Sequence, residues 1–427
     1  MHKFTKETWP NGLRAIYAPM TGTETVTILV LVGTGSRYET KEINGLSHFL
    51  EHMFFKGTKK RPGKSQIAQE LDAVGAAYNA FTDKELTGYW VKTDAKHAEL
   101  AFDVVSDIFL NSTIPAEEIE KERGVIIGEI DMYEDTPTRK VGDLFEELLY
   151  GDQPAGWDIA GRKEVIRAIK REDFVDYLAK HYRSENVVVT VAGNISLAKA
   201  RASVKKYFKT VKPGAAPKPI ACREAQTRPA INLKYKNTDQ AHLVLGARAF
   251  DMFNPKRWAL SLLGVILGGG MSSRLFIKVR DELGLGYYIR AGASLSTDHG
   301  YFEVGAGVDI KRISEAVAVI TGELNRARQA GVSEAELRKA KAFIKGGTLL
   351  GLESSDEVAS FFGLQELLTR EILTVEQKFS MLEEVKAAEV KKVAEELFQN
   401  KNLNLALIGP LKDKKELEQV LDFNRAG

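Results

Sequence analysis

Cysteine is all but absent from this chain of 427 residues: Cys222 is the only one. That excludes a disulfide scaffold and any metal site built on several thiolates. An excess of one charge is missing as well. The 60 Lys and Arg residues stand against 58 Asp and Glu, for a formal net charge of +2. Nothing here resembles the basic balance that tracks nucleic acid or an anionic membrane surface. Long apolar runs are also lacking, since none approaches the roughly 20 residues of a membrane-spanning helix. The stretch from Met1 to Pro10 has no apolar core of the signal-peptide kind. The expectation is a soluble, cytoplasmic protein that binds neither nucleic acid nor membrane.

What is present is enough length for two or more domains. The stretch from Lys212 to Pro219 is rich in Pro, Ala and Gly and reads as an extended, semi-rigid linker. It divides the chain into 1–212, a linker over 213–230, and 231–427. The two halves resemble each other. Val187 to Asn194 (VVVTVAGN) and Leu403 to Pro410 (LNLALIGP) are both buried-strand patterns closed by glycine. Each follows a helical pattern ending in aromatic-x-x-x-Asn, Tyr182 to Asn186 and Phe398 to Asn402. A common offset of 216 residues points to an internal duplication. Strand patterns such as Val26 to Val32 alternate with longer helical ones. The fold expected is therefore α+β: two homologous domains, each a largely antiparallel sheet covered by helices.

One stretch of five residues carries chemistry. His48-Phe49-Leu50-Glu51-His52 reads H-x-x-E-H, the zinc-peptidase signature H-E-x-x-H in reverse. On a helix with Asn44 at its start and Gly57 at its end, His48, Glu51 and His52 share a sector of roughly 100°. Leu46, Phe49, Leu50, Met53 and Phe54 fall on the opposite side. Imidazoles at i and i+4 can grip one ion, with Glu51 between them as a general base. Shifting this helix by the 216-residue offset lands in Ser261 to Leu267, which has neither histidine nor acid. The second half thus copies the fold and lacks the metal site.

A catalytic zinc needs a third protein ligand. His2, His97, His181, His242 and His299 are scattered, so a carboxylate is the best candidate. Pro115 to Glu134 reads as a helix with Pro115 in its first turn, and Glu122 and Glu129 stack on one face two turns apart. The nearby Gly124 and Gly128 cost helix stability and suggest that another element approaches closely. On these grounds Glu122 and Glu129 remain alternatives.

These motifs resemble the M16 metallopeptidases, the inverzincins related to insulin-degrading enzyme and the mitochondrial processing peptidase. In that family the third ligand is a glutamate about 76 residues beyond the second histidine. Positions 52 and 129 leave 76 residues between them, so the resemblance implies Glu129 as ligand. It also implies a supporting role for Glu122, seven residues earlier. Many relatives read E-E-I where this chain has Gly128-Glu129-Ile130, a departure that spares the ligand position.

Two further stretches match. Gly75 to Thr82 (GAAYNAFT) resembles the family's edge strand beside the zinc, with Asn79, Ala80 and Phe81 as contacts to a substrate that adds as an extra strand. The glycines 268–270 lead into no G-K-[ST] and so form no phosphate loop; they read as a break before a helix. Beyond them, Arg280 and Tyr287 have the spacing of the family's substrate-holding pair. Read alone, Arg280 suits a structural ion pair. The resemblance spans nearly the whole chain. It implies a zinc-dependent endopeptidase with one Zn²⁺ per chain, acting on unfolded peptides. It further implies a homodimer, in which Arg280 and Tyr287 reach the partner's zinc, or pairing with a second M16-like subunit. The alternatives are an active subunit needing a separate partner chain and a non-catalytic scaffold subunit.

Overall fold

The structure, a computed structural model, describes residues 3–63 and 65–423; His2 lies outside the described residues. The chain forms two compact units. The first comprises Met1–Asp131, Trp157–Ile220 and Thr348–Leu373, and the second Met132–Gly156, Ala221–Gly347 and Thr374–Gly427.

The first unit is built on β1 (Thr5–Thr8), β2 (Arg14–Pro19), β3 (Thr25–Val32), β4 (Ala77–Thr82), β5 (Thr87–Asp94) and β6 (Val187–Gly193). Their order in the sheet is β1-β2-β6-β3-β5-β4. Only β2 and β6 run parallel; the other four neighbouring pairs are antiparallel. β3 and β6 are apolar at nearly every position because both of their faces are covered. Val26, Ile28, Val30 and Val32, with Val187, Val189 and Val191, join one core with Phe49, Phe102, Phe174 and Phe208. Against the other face lies the helix Ser355–Thr369. Its Gly363 sits where a Cβ would come within 2.7 Å of Thr190 Oγ1, and Ser355 Oγ bonds the hydroxyls of Thr25 (2.9 Å) and Thr27 (2.8 Å).

The second unit repeats the plan with β7 (Ala230–Tyr235), β8 (Gln240–Ala249), β9 (Gly286–Leu295), β10 (Gly300–Asp309) and β11 (Asn404–Gly409), ordered β7-β11-β8-β10-β9. Again one pair, β7 with β11, is parallel and the rest antiparallel. Strand for strand this is the first sheet without β1, and β6 and β11, the segments that suggested the duplication, occupy equivalent places. One face packs on Leu260, Leu263, Ile320 and Val393. The helix Pro137–Tyr150 covers the other, setting Val141, Leu144 and Phe145 against Val244, Ala406 and Ile408.

The fold class is thus the one expected, a pair of α+β units with largely antiparallel sheets. The compositional boundary at 213–230 falls between the strands of the two sheets. It does not assign two helices, because Pro137–Tyr150 belongs to the second unit and Ser355–Thr369 to the first. Each sheet has a second apolar face to cover, and a helix from the opposite half of the sequence covers it. Among the described residues no helix is long and apolar enough to cross a membrane.

Packing in the first unit also sets a pH response. His181 ends the helix Arg171–His181 and stacks on Tyr177 with ring centroids 4.3 Å apart. Burial, aided by the Lys180 charge, pulls its pKa from 6.5 down to about 4. Between those values the unfolded chain holds a proton that the folded chain does not, so stability falls as pH drops from 6.5 through 4. His181→Phe keeps a ring in place and removes this group from the titration. Its stability, measured by urea unfolding, is expected to lose about 1–3 kcal/mol less than wild type over that window. Parallel curves would rule His181 out as the cause.

Candidate metal centre

The helix that carries His48, Glu51 and His52 spans Leu46–Met53. It begins at Gly45, whose φ of 100° is left-handed and suits glycine; a Cβ there would also meet Ala160 O at 2.6 Å. The sequence placed Asn44 at the cap, but the chain turns one residue later. The first-turn N–H groups are held instead by a buried carboxylate. Glu39 Oε2 accepts from Gly45 N (2.7 Å) and Asn44 Nδ2 (3.0 Å), and Oε1 accepts from Ser47 N (2.6 Å). Burial pushes Glu39 up to about 7, against the hydrogen bonds from Ser47, Gly45 and Asn44. Nor does Gly57 close the helix, which ends at Met53 with Phe54 as its C-cap.

Glu39→Gln turns one acceptor oxygen into an NH₂ group facing N–H donors. It is expected to destabilise the fold by about 1–3 kcal/mol and to weaken metal binding, read as a lower thermal midpoint and a larger Kd by chelator competition. Unchanged values would show that Glu39 does not hold the helix.

The apolar side of the helix is as expected: Leu46, Phe49, Leu50, Met53 and Phe54 are all buried. Phe49 meets Phe174 edge to face, with centroids 5.0 Å apart, and Phe54 does the same with Tyr89 at 4.7 Å. Beyond the helix Arg61 is buried and donates to Glu70, Asp103 and Asp107, pinning the segment that follows.

The opposite side faces the acidic helix Ala116–Glu134. Glu129 Oε2 lies 3.6 Å from His48 Nε2 and 3.6 Å from His52 Nε2. These three residues are the one such His/Cys/Asp/Glu group among the described residues, with ligand atoms all within 4.8 Å of one another. Zinc bonds of about 2.0–2.2 Å in a tetrahedron separate donor atoms by about 3.3–3.6 Å, so the donor set and its spacing fit that metal. The side chains are partly open, at 12% exposure for His48 and 21% for His52 and Glu129, leaving room for a reactant. The two glutamates differ in position, and Glu129 is the one beside both Nε2 atoms. Glu122 Oε1 pairs with His52 Nδ1 at 2.9 Å, fixing the ring so that Nε2 faces Glu129. Glu122 Oε2 meets Lys56 Nζ at 2.6 Å. Burial would raise the Glu122 carboxyl, but the bonds from His52 and Lys56 outweigh it and lower the pKa. Close approach at Gly124 and Gly128 does not occur: both are exposed and a Cβ at either would meet nothing within 4 Å.

Glu51 is not part of the ligand triangle. Its Oε2 accepts a 2.6 Å hydrogen bond from Thr82 Oγ1. Burial holds the Glu51 carboxyl above the usual carboxylate range, against the Thr82 bond and the His52 charge. Thr82 ends β4, which lies at the edge of the first sheet as the resemblance implied. In β4, Tyr78, Ala80 and Thr82 alternate with Asn79 and Phe81, and Asn79 Oδ1 accepts from Ala80 N at 2.9 Å.

Arg280 and Tyr287 lie in the second unit, Arg280 on a π-helix, Phe276–Glu282, and Tyr287 on β9. Arg280 Nη1 donates to Tyr287 O at 2.8 Å, and its guanidinium lies 5.1 Å from the Phe276 ring centroid. Those contacts replace the ion pair that the sequence alone suggested. Sequence reasoning missed Glu39, Lys56 and Thr82. Thr82 lay inside the Gly75–Thr82 stretch and Lys56 inside the helix expected between Asn44 and Gly57, but neither was given a role there.

Residues 14–163 match the family described as Insulinase (Peptidase family M16), and residues 168–344 match Peptidase M16 inactive domain. A Bacillus subtilis protein named as the uncharacterized zinc protease YmxG is 36% identical over 403 residues, 94% of this chain and 97% of that one. An uncharacterized zinc protease of Mycobacterium leprae is 35% identical over 420 residues, 97% of this chain and 94% of its own. Among solved structures, a protease from Helicobacter pylori shares the fold with a TM-score of 0.88 at 24% identity, covering 96% of this chain and 100% of that chain.

Proposed function

The chain belongs to peptidase family M16 and is a metallopeptidase, and from that premise we propose that it is a zinc-dependent endopeptidase acting on unfolded peptides. One observation carries the reading: two imidazole nitrogens each 3.6 Å from one carboxylate oxygen, with Glu51 on the same helix face.

In this reading His48, His52 and Glu129 hold one Zn²⁺ per chain. The chemistry zinc supplies at such a ligand set is polarisation of the scissile carbonyl and acidification of the attacking water. Glu51 takes the water proton and delivers it to the leaving amine. Glu122 fixes the His52 ring and has Lys56 to balance its charge. The peptide adds to β4 as an antiparallel or parallel neighbour, held by backbone hydrogen bonds along Asn79, Ala80 and Phe81. A strand pairing at Ala80 N displaces the Asn79 side-chain oxygen that now occupies it. Folded proteins lack a free extended segment to offer, which favours unstructured substrates.

The proposal extends to a second copy of this chain as partner, with Arg280 and Tyr287 of each copy holding substrate carbonyl groups at the other's metal. A strictly monomeric enzyme at assay concentration, with full activity, would contradict that extension.

The test of the main reading is cleavage of a mixed set of unstructured peptides with and without a chelator, followed by zinc re-addition. Cleavage that stops with chelator and returns with zinc supports it. Chelator-insensitive cleavage, or none by a zinc-loaded chain, contradicts it.

A further inference from the structure

We infer that Thr82 is a positioning residue for the reaction: its hydroxyl holds the Glu51 side chain in the orientation that presents the carboxylate to the reacting water. This rests on the reading of Glu51 as the general base.

The geometry is specific. Thr82 Oγ1 reaches Glu51 Oε2 at 2.6 Å, while its other possible acceptor, Ser47 O, is at 3.5 Å. A hydroxyl has one proton to give, and the shorter contact, within the charge-assisted O–H···O⁻ range of about 2.5–2.7 Å, takes it. The position of that hydroxyl is itself fixed. Thr82 is β-branched and so restricted about its first side-chain torsion, and its backbone is paired with Thr87 of β5. A glutamate, by contrast, has three rotatable bonds and loses rotamer entropy when ordered. Anchoring Oε2 to the sheet removes that freedom before substrate arrives and leaves Oε1 for proton transfer.

The anchor also comes from the strand on which the peptide is proposed to lie. Thr82 shares its strand face with Ala80, which is buried toward the motif helix. Base and substrate are thereby referred to one rigid element, β4, and not to two that move independently. A bond serving only to fasten strand to helix would show in stability and not in turnover. A positioning bond shows in kcat, acts only through Glu51, and is restored by any residue that returns the hydroxyl.

The experiment uses the full zinc-loaded chain and an internally quenched unstructured peptide. Wild type, Thr82→Val, Thr82→Ser, Glu51→Gln and the Thr82→Val/Glu51→Gln double variant are compared for kcat, KM, zinc content and thermal midpoint. Thr82→Val is expected to lower kcat about 10–100-fold, the scale of a misplaced catalytic group. KM should stay within about threefold and zinc at one per chain. Thr82→Ser should recover most of the loss. On the Glu51→Gln background, followed by single turnover, Thr82→Val should cost nothing further. An unchanged kcat in Thr82→Val, lost zinc, or an equal loss on both backgrounds would overturn the inference. If Thr82→Val does not fold, Thr82→Ala against Thr82→Ser asks the same question. Near-full activity in Glu51→Gln would instead remove the base assignment, and the Thr82 role with it.

Discussion

Glu51→Gln is expected to lose about 10²–10⁴-fold in peptide hydrolysis, the usual contribution of a positioned general base, while retaining zinc. The two halves of this expectation have separate causes. Glutamine has nearly the shape of glutamate and its carbonyl oxygen can still accept from Thr82, so the helix and its packing should be undisturbed. The metal should stay because the triangle of ligand atoms is made by His48, His52 and Glu129 alone. What glutamine cannot do is take a proton, and about 3–5 kcal/mol of barrier lowering goes with that. The loss should appear in kcat with little change in KM, since the residue is not asked to bind the ground state. Metal analysis of the same sample separates loss of chemistry from loss of zinc. An active Glu51→Gln would place the base elsewhere.

The second large effect is loss of the metal itself. His48→Ala or Glu129→Gln removes one of the three proposed ligands, and two do not make a closed protein set for a catalytic zinc. Both variants should purify without stoichiometric metal and show only background cleavage. Glu122→Gln should behave differently. It leaves all three ligand atoms in place and removes the carboxylate that orients His52 and meets Lys56. A 10–100-fold weaker zinc affinity is the scale for such a partner, so activity should return at raised zinc. The graded order, with ligand variants dead and Glu122→Gln rescuable, is read by titrating zinc against activity. If Glu122→Gln were dead at saturating zinc while Glu129→Gln kept its metal, the roles of the two glutamates would be exchanged.

The motif helix was legible because its information is local. Five residues place two candidate ligands and a candidate base on one side, and helical periodicity alone puts Phe49, Leu50 and Met53 on the buried side. The third candidate ligand was not set by pattern, since Glu122 and Glu129 share a face. Only the fold shows that one meets His52 Nδ1 and the other lies within 3.6 Å of both Nε2 atoms. Glu39 and Thr82 were illegible for a related reason. Each is an ordinary polar residue in a loop or strand, and its role depends on a partner brought near by folding. Gly124 and Gly128 misled because a helical glycine signals close approach only when something is there, and here solvent is. The duplication was legible in β6 and β11, whose buried runs repeat at a fixed offset. The exchange of the helices Pro137–Tyr150 and Ser355–Thr369 left no mark in composition, because an amphipathic helix reads the same whichever sheet it covers.

In the proposed function one zinc sits among His48, His52 and Glu129 and serves peptide cleavage there. Anomalous diffraction at the zinc edge, from crystals of chain shown to cleave peptides, tests it most directly. A single peak is expected within about 2.0–2.2 Å of both Nε2 atoms and a Glu129 oxygen. A peak at other residues, or none in a preparation that still cleaves peptides, would contradict it.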